Sequence, residues 1–349
     1  MNLLRRMGLS ATRQGQPRRK LLRSGLGSER FGFDRLEERC LMAADVVIAV
    51  PDLAATTVGQ AVAINVLAND NAPSSDTLTA SVAVQPLHGT ATVGTNNEIT
   101  YTPAANFSGF DSFAYTDTSS NGGNGTAAVG VLVGGTAAEN FIVNLYNDVL
   151  HRLPTASEIS SWIQNIGGQA LDSTQRTDIA TEFLDSAENH LNEIKADFMQ
   201  FLGRVGDASG ISFFTNELAD GVPALNVEMS FLDSAEFSAL HTSSADFVNS
   251  VFSDVLGRLP TASDTSFFTN ELSTLTRAQV VQQIVLSNES IQDFVANTVQ
   301  DYVGRTPTAS ELAAAQGIIQ GIAQGNNLQM EVSTAASLLG TDEFFSKIA

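Results

Sequence analysis

Apolar and polar positions follow three different patterns along this 349-residue chain. The first 44 residues show neither a helical nor a strand period. Between 45 and 137, short β-branched or alternating runs are separated by turns rich in Asn, Gly, Ser and Asp. From 138 onwards, apolar residues recur at steps of three and four, as on one helix face. We therefore predict a multidomain chain with a leader at 1–44, an all-β domain at 45–137 and an all-α domain at 138–349.

The all-β stretch has the composition of short strands, with abundant Thr, Val, Ala, Asn and Gly and no Lys or Arg. Seven short strands in a stretch of this length are typical of an antiparallel β-sandwich. The predicted strands are 46–50, 60–67, 78–87, 90–93, 98–102, 111–118 and 126–133.

Three motifs of this domain resemble a known family. They are NVLANDN at 65–71, PLHGTATV at 86–93 and ITYTPAANFSGFDSFAYT at 99–116. Together they are similar to the cadherin-like or bacterial immunoglobulin-like repeats of large surface proteins. The resemblance implies an immunoglobulin-like sandwich, in which Tyr101, Phe107, Phe113 and Tyr115 pack inward or at corners.

A cluster of oxygen-bearing side chains follows the second predicted strand: Asn69, Asp70, Asn71 and Asp76. Calcium takes six to eight oxygen ligands, usually including several carboxylates, and two carboxylates supply too few without backbone carbonyls. Asn and Asp also cap their own backbone in Asx-turns. The cluster is therefore a weak calcium candidate beside a structural alternative, and no other cofactor is predicted.

The all-α stretch is internally repeated. VLHRLPTASE, FLGRVGDASG, VLGRLPTASD and YVGRTPTASE place Arg residues at 152, 204, 258 and 305, which are 52, 54 and 47 residues apart. A second motif follows each of them, FLDSAEN, FLDSAEF, VLSNESI and LLGTDEF, and SFFTNEL occurs twice unchanged. We predict four related units at 138–190, 191–242, 243–292 and 293–349.

Each unit is predicted to begin with an amphipathic helix that stops before its Arg. Gly203, Gly257 and Gly304 are typical of left-handed helix ends, with His151 at the same place in the first unit. A second helix then starts after a capping residue, which is Thr155, Asp207, Thr261 or Thr308. Glu158 and Glu311 complete capping boxes three residues later, and Asp264 is a shorter substitute. Whether the units form an open solenoid or a compact bundle is left open.

The repeated Arg152, Arg204, Arg258 and Arg305 admit two interpretations. They could form a ladder for an anionic ligand, since they are half of the basic residues beyond the leader. They could instead bond the carbonyls at the helix end and pair with an acid of the DSAE turn. Their recurrence at each helix stop of an acidic protein favours the structural interpretation.

The order of these motifs, from the Leu-Gly-Arg-x-Pro element to Phe-Leu-x-Ser-x-Glu-Phe, resembles the bacterial domain of unknown function 4214. The resemblance covers 138–349, and the family looks distantly similar to phycobilisome linker domains. It implies exported, multi-module proteins with a binding or assembly role. The fourth unit departs most, because Ala315 stands where the other units have an aromatic residue.

The leader also carries a resemblance, at FDRLEERCLMAAD (33–45). Its Leu36, Glu37, Arg39 and Leu41 with the following Ala-Ala-Asp resemble the N-terminal motif of many planctomycete exported proteins. The leader contains ten basic and four acidic residues, which suits a targeting segment. We expect an exported protein, located outside the cell or at its surface.

Charge and composition exclude several functions. The chain has 18 Lys+Arg against 38 Asp+Glu, and this acidity disfavours nucleic acid as a partner. One Cys allows no internal disulfide, and no apolar run is long enough for a transmembrane segment. The four His residues form no recognisable catalytic or zinc motif.

The expected function is therefore non-catalytic. The sandwich would serve as a spacer and the helical repeats would bind a surface protein or a glycan, in the manner of an adhesin. Two alternatives stay open. One is a carboxylate-dependent secreted hydrolase, because acid pairs are abundant. The other is a calcium-stabilised adhesin.

Overall fold

A computed structural model describes residues 47–73, 76–168, 170–313, 336–337 and 339–345. The chain divides into two compact units, with the division between Gly134 and Gly135. Among the described residues, the first unit is built from β-strands and the second from helices, which confirms the predicted fold class. The predicted leader lies outside the described residues.

The first unit is a sandwich of two sheets. One sheet has the strand order β1-β7-β6-β3 and the other β2-β5-β4. The strands are β1 Asp52–Thr56, β2 Val62–Ile64, β3 Leu78–Val84, β4 Gly89–Val93, β5 Ile99–Pro103, β6 Gly109–Ser119 and β7 Asn124–Val133.

The expectation of a wholly antiparallel sandwich is wrong at one edge, where β1 runs parallel to β7. The predicted first strand at 46–50 is also displaced. There the chain forms an isolated bridge between Ile48 and Asn71, and the paired strand starts at Asp52. An apolar run shows where a strand can form, but the edge that the strand joins depends on the partner's free backbone groups.

The sandwich core comes from alternating positions of the long strands. On β6, every second residue from Asp111 to Ser119 is buried. Tyr101, Phe113 and Tyr115 are almost fully covered, as the sequence predicts, and the rings of Tyr101 and Phe113 stack with centroids 6.3 Å apart. Phe107 is half-buried and stacks on His88 at 4.4 Å. β6 therefore also turns two aspartates, Asp111 and Asp117, toward the interior.

The second unit is built from short helices. Those with defined bounds are α1 Ala137–Asp148, α2 Ala156–Asn165, α3 Ser173–Leu184, α4 Ala187–Leu202, α5 Ala208–Ala219, α6 Ala224–Leu232, α7 Ala235–Leu240, α8 Ser244–Leu256, α9 Ala262–Glu271, α10 Arg277–Val285, α11 Asn288–Val303 and α12 Asp342–Phe345. The first helices of the four repeats are α1, α4, α8 and α11.

Helix starts and stops follow the predicted local chemistry. Thr155 and Thr261 each accept a hydrogen bond from the third residue of the next helix, and Glu158 and Asp264 complete the two capping boxes. The left-handed ends are confirmed as well: φ is 63° at Gly203, 65° at Gly257 and 79° at Gly304. His151 has φ 54°, so it adopts the conformation that glycine supplies in the other units.

The helical unit is a compact bundle whose last described turn packs on its first helix. The Phe141 and Phe344 rings, from α1 and α12, meet edge to face at 5.9 Å. The corresponding rings between the second and third units, Phe237 and Phe247, meet edge to face at 6.0 Å. The contact that joins the second unit to the third therefore recurs between the fourth and the first.

Candidate functional site

Each repeated Arg is held where its first helix ends. Arg152 makes five hydrogen bonds: Nε and Nη2 donate to Glu188, Nη1 and Nη2 donate to Glu158, and Nη1 donates to the Leu153 carbonyl. A guanidinium has five N–H donors, so this set uses all of them. The guanidinium carbon also lies 4.7 Å from the centre of the Tyr146 ring.

The same clamp recurs in the other units. Arg204 pairs with Glu236, Arg258 with Glu289 and Asp264, and Arg305 with Glu343 and Glu311. Asp207 replaces the capping carboxylate in the second unit and lies 3.8 Å from Arg204. Each partner belongs either to the capping box of the next helix or to the acidic turn that ends the unit. The clamp therefore ties three segments of a repeat together.

The clamps shift the acidity of their carboxyl groups. The hydrogen bonds from Arg152 lower the pKa of Glu158 to about 2, and those from Arg305 lower the pKa of Glu311 to about 2. In both cases burial partly opposes the effect. The guanidinium groups in turn have raised pKa values because of the same hydrogen bonds. Their positive charge is matched by two carboxylates each, which leaves no ladder of unpaired cations at these positions for an anionic ligand.

The four calcium candidates of the sandwich form hydrogen bonds with different partners. Asp70 accepts hydrogen bonds from the Val50 backbone N–H at 2.7 Å and from the Tyr115 hydroxyl at 2.8 Å. Asp76 accepts from the Ser119 hydroxyl and from the Asn121 amide. The Asn69 amide donates to the Pro51 carbonyl, and Asn71 pairs with Ile48 through its backbone. The described residues contain no group of three or more His, Cys, Asp or Glu side chains suited to a metal ion, and calcium binding stays a prediction.

A different set of carboxylates gathers around Tyr115. Asp117 is fully buried and accepts a hydrogen bond from the Gly125 backbone N–H through Oδ1. Its Oδ2 atom and Oδ2 of Asp52 are buried and receive no donor from the described residues. The Tyr115 hydroxyl lies within 3.1 Å of the Val50 and Val66 carbonyl oxygens and also contacts Asp70. One hydroxyl proton therefore serves several acceptors.

The close approach of these carboxyl groups changes the pKa values of two of them. Burial, followed by the charge of Asp70, raises the pKa of Asp52 to about 7. Burial and the neighbouring Asp117 carboxylate raise the pKa of Asp70 to about 6, against hydrogen bonds from Val50 and Tyr115 that lower it. We call Asp52, Asp70 and Asp117 the carboxylate cluster. Within it, the raised pKa values let Asp52 and Asp70 retain protons close to neutral pH.

The first helical repeat has a shallow notch of about 190 Å³ on α2. Its lining combines aromatic rings with small polar side chains: Tyr146, Ser157, Glu158, Ser161, Trp162 and Asn165. The Trp162 indole N–H donates to the Tyr146 hydroxyl at 3.3 Å, and the indole ring stacks on Phe183 with centroids 5.0 Å apart. The notch therefore has a fixed aromatic wall.

Comparison with known families matches both units. A family model described as the bacterial Ig domain matches residues 44–131. A family model described as a domain of unknown function (DUF4214) matches residues 132–192 and 228–294. No curated protein matches the chain. The sandwich and the helical repeats are therefore similar to two different bacterial domain families.

Bacterial Ig domains are common in surface or extracellular proteins, and both kinds of domain are typically non-catalytic. Among the described helices, none has the length and apolarity that a bilayer crossing requires. The two family matches suggest a protein of the surface or adhesion type.

Sequence reasoning missed three features of these sites. Asp52 and Asp117 were not singled out, although two aspartates at inward positions of strands are an unusual signal. Arg176 is buried and donates to the Gly340 carbonyl and to Asp342, which no repeat motif indicates. Trp162 resembles a core residue in the sequence, whereas it also lines the notch.

Proposed function

We propose that the protein is exported and acts without catalysis at the cell surface or in the extracellular matrix. The Ig-like sandwich serves as a spacer, and the helical repeats bind a surface protein or glycan. The observation that carries the proposal is the pairing of a bacterial Ig domain with DUF4214 repeats in one chain. The acidity of the chain agrees with a partner other than nucleic acid.

The arrangement of acids in the repeats supports a binding role over a hydrolytic one. Glycoside hydrolysis needs a carboxylic acid that holds a proton near neutral pH beside a second carboxylate. The acid pair around Arg152 contains Glu158, whose pKa of about 2 keeps it ionised. Its oxygens are also committed to the guanidinium and to the Thr155 cap. This pair stabilises a fold and is unsuited to proton transfer.

Export is tested by fractionating cells that express the chain with and without residues 33–45. We expect the complete chain outside the cytoplasm and the deleted chain inside it, because the motif with Leu36, Glu37 and Arg39 belongs to that segment. Exchange of Glu37 and Arg39 for Ala in the full-length leader provides a control that keeps its length. An intact chain that stays in the cytoplasm would overturn the proposed location.

A further inference from the structure

The lining of the notch on α2 includes a position at which the first repeat has a much smaller side chain than its neighbours. Nine residues after the repeated Arg, the first unit has Ser161, whereas the second and third have Phe213 and Phe267. Those two rings lie edge to face against the next aromatic residue, with centroids 5.1 Å from Phe214 and 5.0 Å from Phe268. Phe214 and Phe268 correspond to Trp162. Because Ser161 is small, no phenylalanine ring covers Trp162 as Phe213 covers Phe214 and Phe267 covers Phe268.

The polar groups around this aromatic wall are accessible. Ser157, Ser161 and Asn165 are exposed and follow one another at steps of four, so they share one face of α2. The Ser161 hydroxyl donates to the Ser157 carbonyl at 2.8 Å, and its lone pairs remain as acceptors. Glu158 adds a carboxylate at the edge, fixed by Arg152. The notch thus presents hydroxyl and amide groups beside an indole and a phenol.

The size and charge of the notch define its ligand. Pockets for drug-sized ligands have volumes of roughly 300 Å³ or more, so a notch of about 190 Å³ suits a single ring. Residues 138–349 contain 27 acidic and eight basic residues, and this field repels anions. A sugar ring has C–H groups on its faces, which pack on an aromatic ring, and hydroxyls at its edge, which bond to polar side chains.

We propose that the notch formed by Tyr146, Ser157, Ser161, Trp162 and Asn165 binds one neutral hexose residue of a surface glycan. The proposal rests on the surface-binding function and assigns it a ligand class and a place. Stacking between the indole and Phe183 holds the wall in position before binding, so little side-chain entropy is lost.

Trp162 is the single tryptophan of the chain, so intrinsic fluorescence reports directly on the notch. The full chain is titrated with neutral glucose, galactose and mannose oligosaccharides and, separately, with an oligouronate. We expect a saturable change of Trp162 emission with at least one neutral oligosaccharide and none with the oligouronate. Saturation by the oligouronate alone, or the absence of any response to the neutral series, would overturn the proposal.

Substitution Ser161→Phe restores the residue found in the second and third repeats and fills the notch. We expect it to abolish the fluorescence response while the thermal midpoint stays unchanged. Trp162→Phe, which copies Phe214 and Phe268, weakens binding about five-fold in calorimetry, because ring stacking contributes on this order. The matched exchange in the third repeat, Phe267→Ser, leaves the Trp162 response intact. Wild-type affinity in Ser161→Phe would contradict the assignment.

Retention on a cell-envelope preparation separates this proposal from the proposed function. Equal retention of the wild-type protein and the Ser161→Phe variant would overturn sugar binding at the notch. It would leave the proposed surface-binding function intact, for example through a protein partner. Wild-type protein that is not retained at all would overturn the surface-binding function itself.

Discussion

At the residue scale, each repeated Arg joins segments of its repeat through ion pairs. Arg152 uses every donor of its guanidinium on two carboxylates and one carbonyl. A lysine could not reproduce this, because an ammonium offers no planar fork. The four Arg residues therefore recur for the same reason that the caps recur: each repeat ends its first helix in the same way.

His151 is the residue at which the first repeat departs from this pattern. Its φ of 54° is disfavoured for a side chain with a Cβ atom, and the other units have glycine there. We expect His151→Gly to raise the free energy of unfolding of the helical unit by roughly 0.5–1 kcal/mol. Denaturant unfolding followed by circular dichroism at 222 nm measures this change, with Gly203→Ala as the matched control that should lower stability. A destabilised His151→Gly variant would show that packing of the imidazole outweighs backbone strain.

The sequence predicts such local features well and distant assemblies poorly. Helix caps depend on residues three positions apart, so Thr155 with Glu158 is recognisable in the sequence. The carboxylate cluster combines Asp52, Asp70 and Asp117 from β1, a loop and β6, and no local period connects them. The sequence shows that Ser161 replaces a phenylalanine of the other repeats, but the notch also needs Tyr146 from a different helix, and no local pattern connects the two.

At the element scale, the docking of α12 on α1 closes the helical bundle. Phe344 is fully buried against Phe141, and Arg176 of α3 donates to the Gly340 carbonyl at 2.9 Å and stacks over Phe345. Arg277 of α10 likewise donates to the Ser238 carbonyl within α7 and to the Thr242 carbonyl that follows this helix. The fourth unit thus contacts the first as the second contacts the third. The sequence shows that the units are related, but it does not show that the last one packs on the first.

Truncation of the two equivalent rings tests this closure. We expect Phe344→Ala and Phe237→Ala each to destabilise the helical unit by about 3–5 kcal/mol, because both side chains are fully buried. Urea unfolding gives the values, and Phe213→Ala serves as the control with little loss, since that ring is 58% exposed. A nearly neutral Phe344→Ala beside a costly Phe237→Ala would contradict the equivalence of the two contacts.

At the scale of the whole molecule, the two units respond to pH in opposite directions. Asp52 and Asp70 have raised pKa values of about 7 and 6, so the folded sandwich binds more protons than the unfolded chain. Their stabilising contribution is complete below pH 4 and is lost as the pH rises through 6–7. Glu158 and Glu311 have lowered pKa values of about 2. Their contribution is present above pH 4.5 and is lost as the pH falls toward 2.

Calorimetry across pH 8 to 3 measures both transitions. We expect the midpoint of the sandwich to rise by more than about 4 °C between pH 8 and 5, and the midpoint of the helical unit to fall below pH 4.5. Asp52→Asn should flatten the first change, since it removes the carboxyl group with the larger pKa shift.

The same scans with millimolar calcium and with chelator at pH 8 should coincide. A calcium-dependent rise in the midpoint of the sandwich would instead support the calcium site predicted at Asn69, Asp70, Asn71 and Asp76.

The central claim is that the helical repeats carry the binding function while the sandwich is a spacer. Retention on a cell-envelope preparation tests it most directly. Two chains are compared: one runs from Asp45 to the end of the sequence, and the other runs from Asp45 to Gly134, where the sandwich unit ends. We expect the longer chain to be retained in a saturable manner and the sandwich alone to pass through. Equal retention of the two chains, or retention of neither, would contradict the claim.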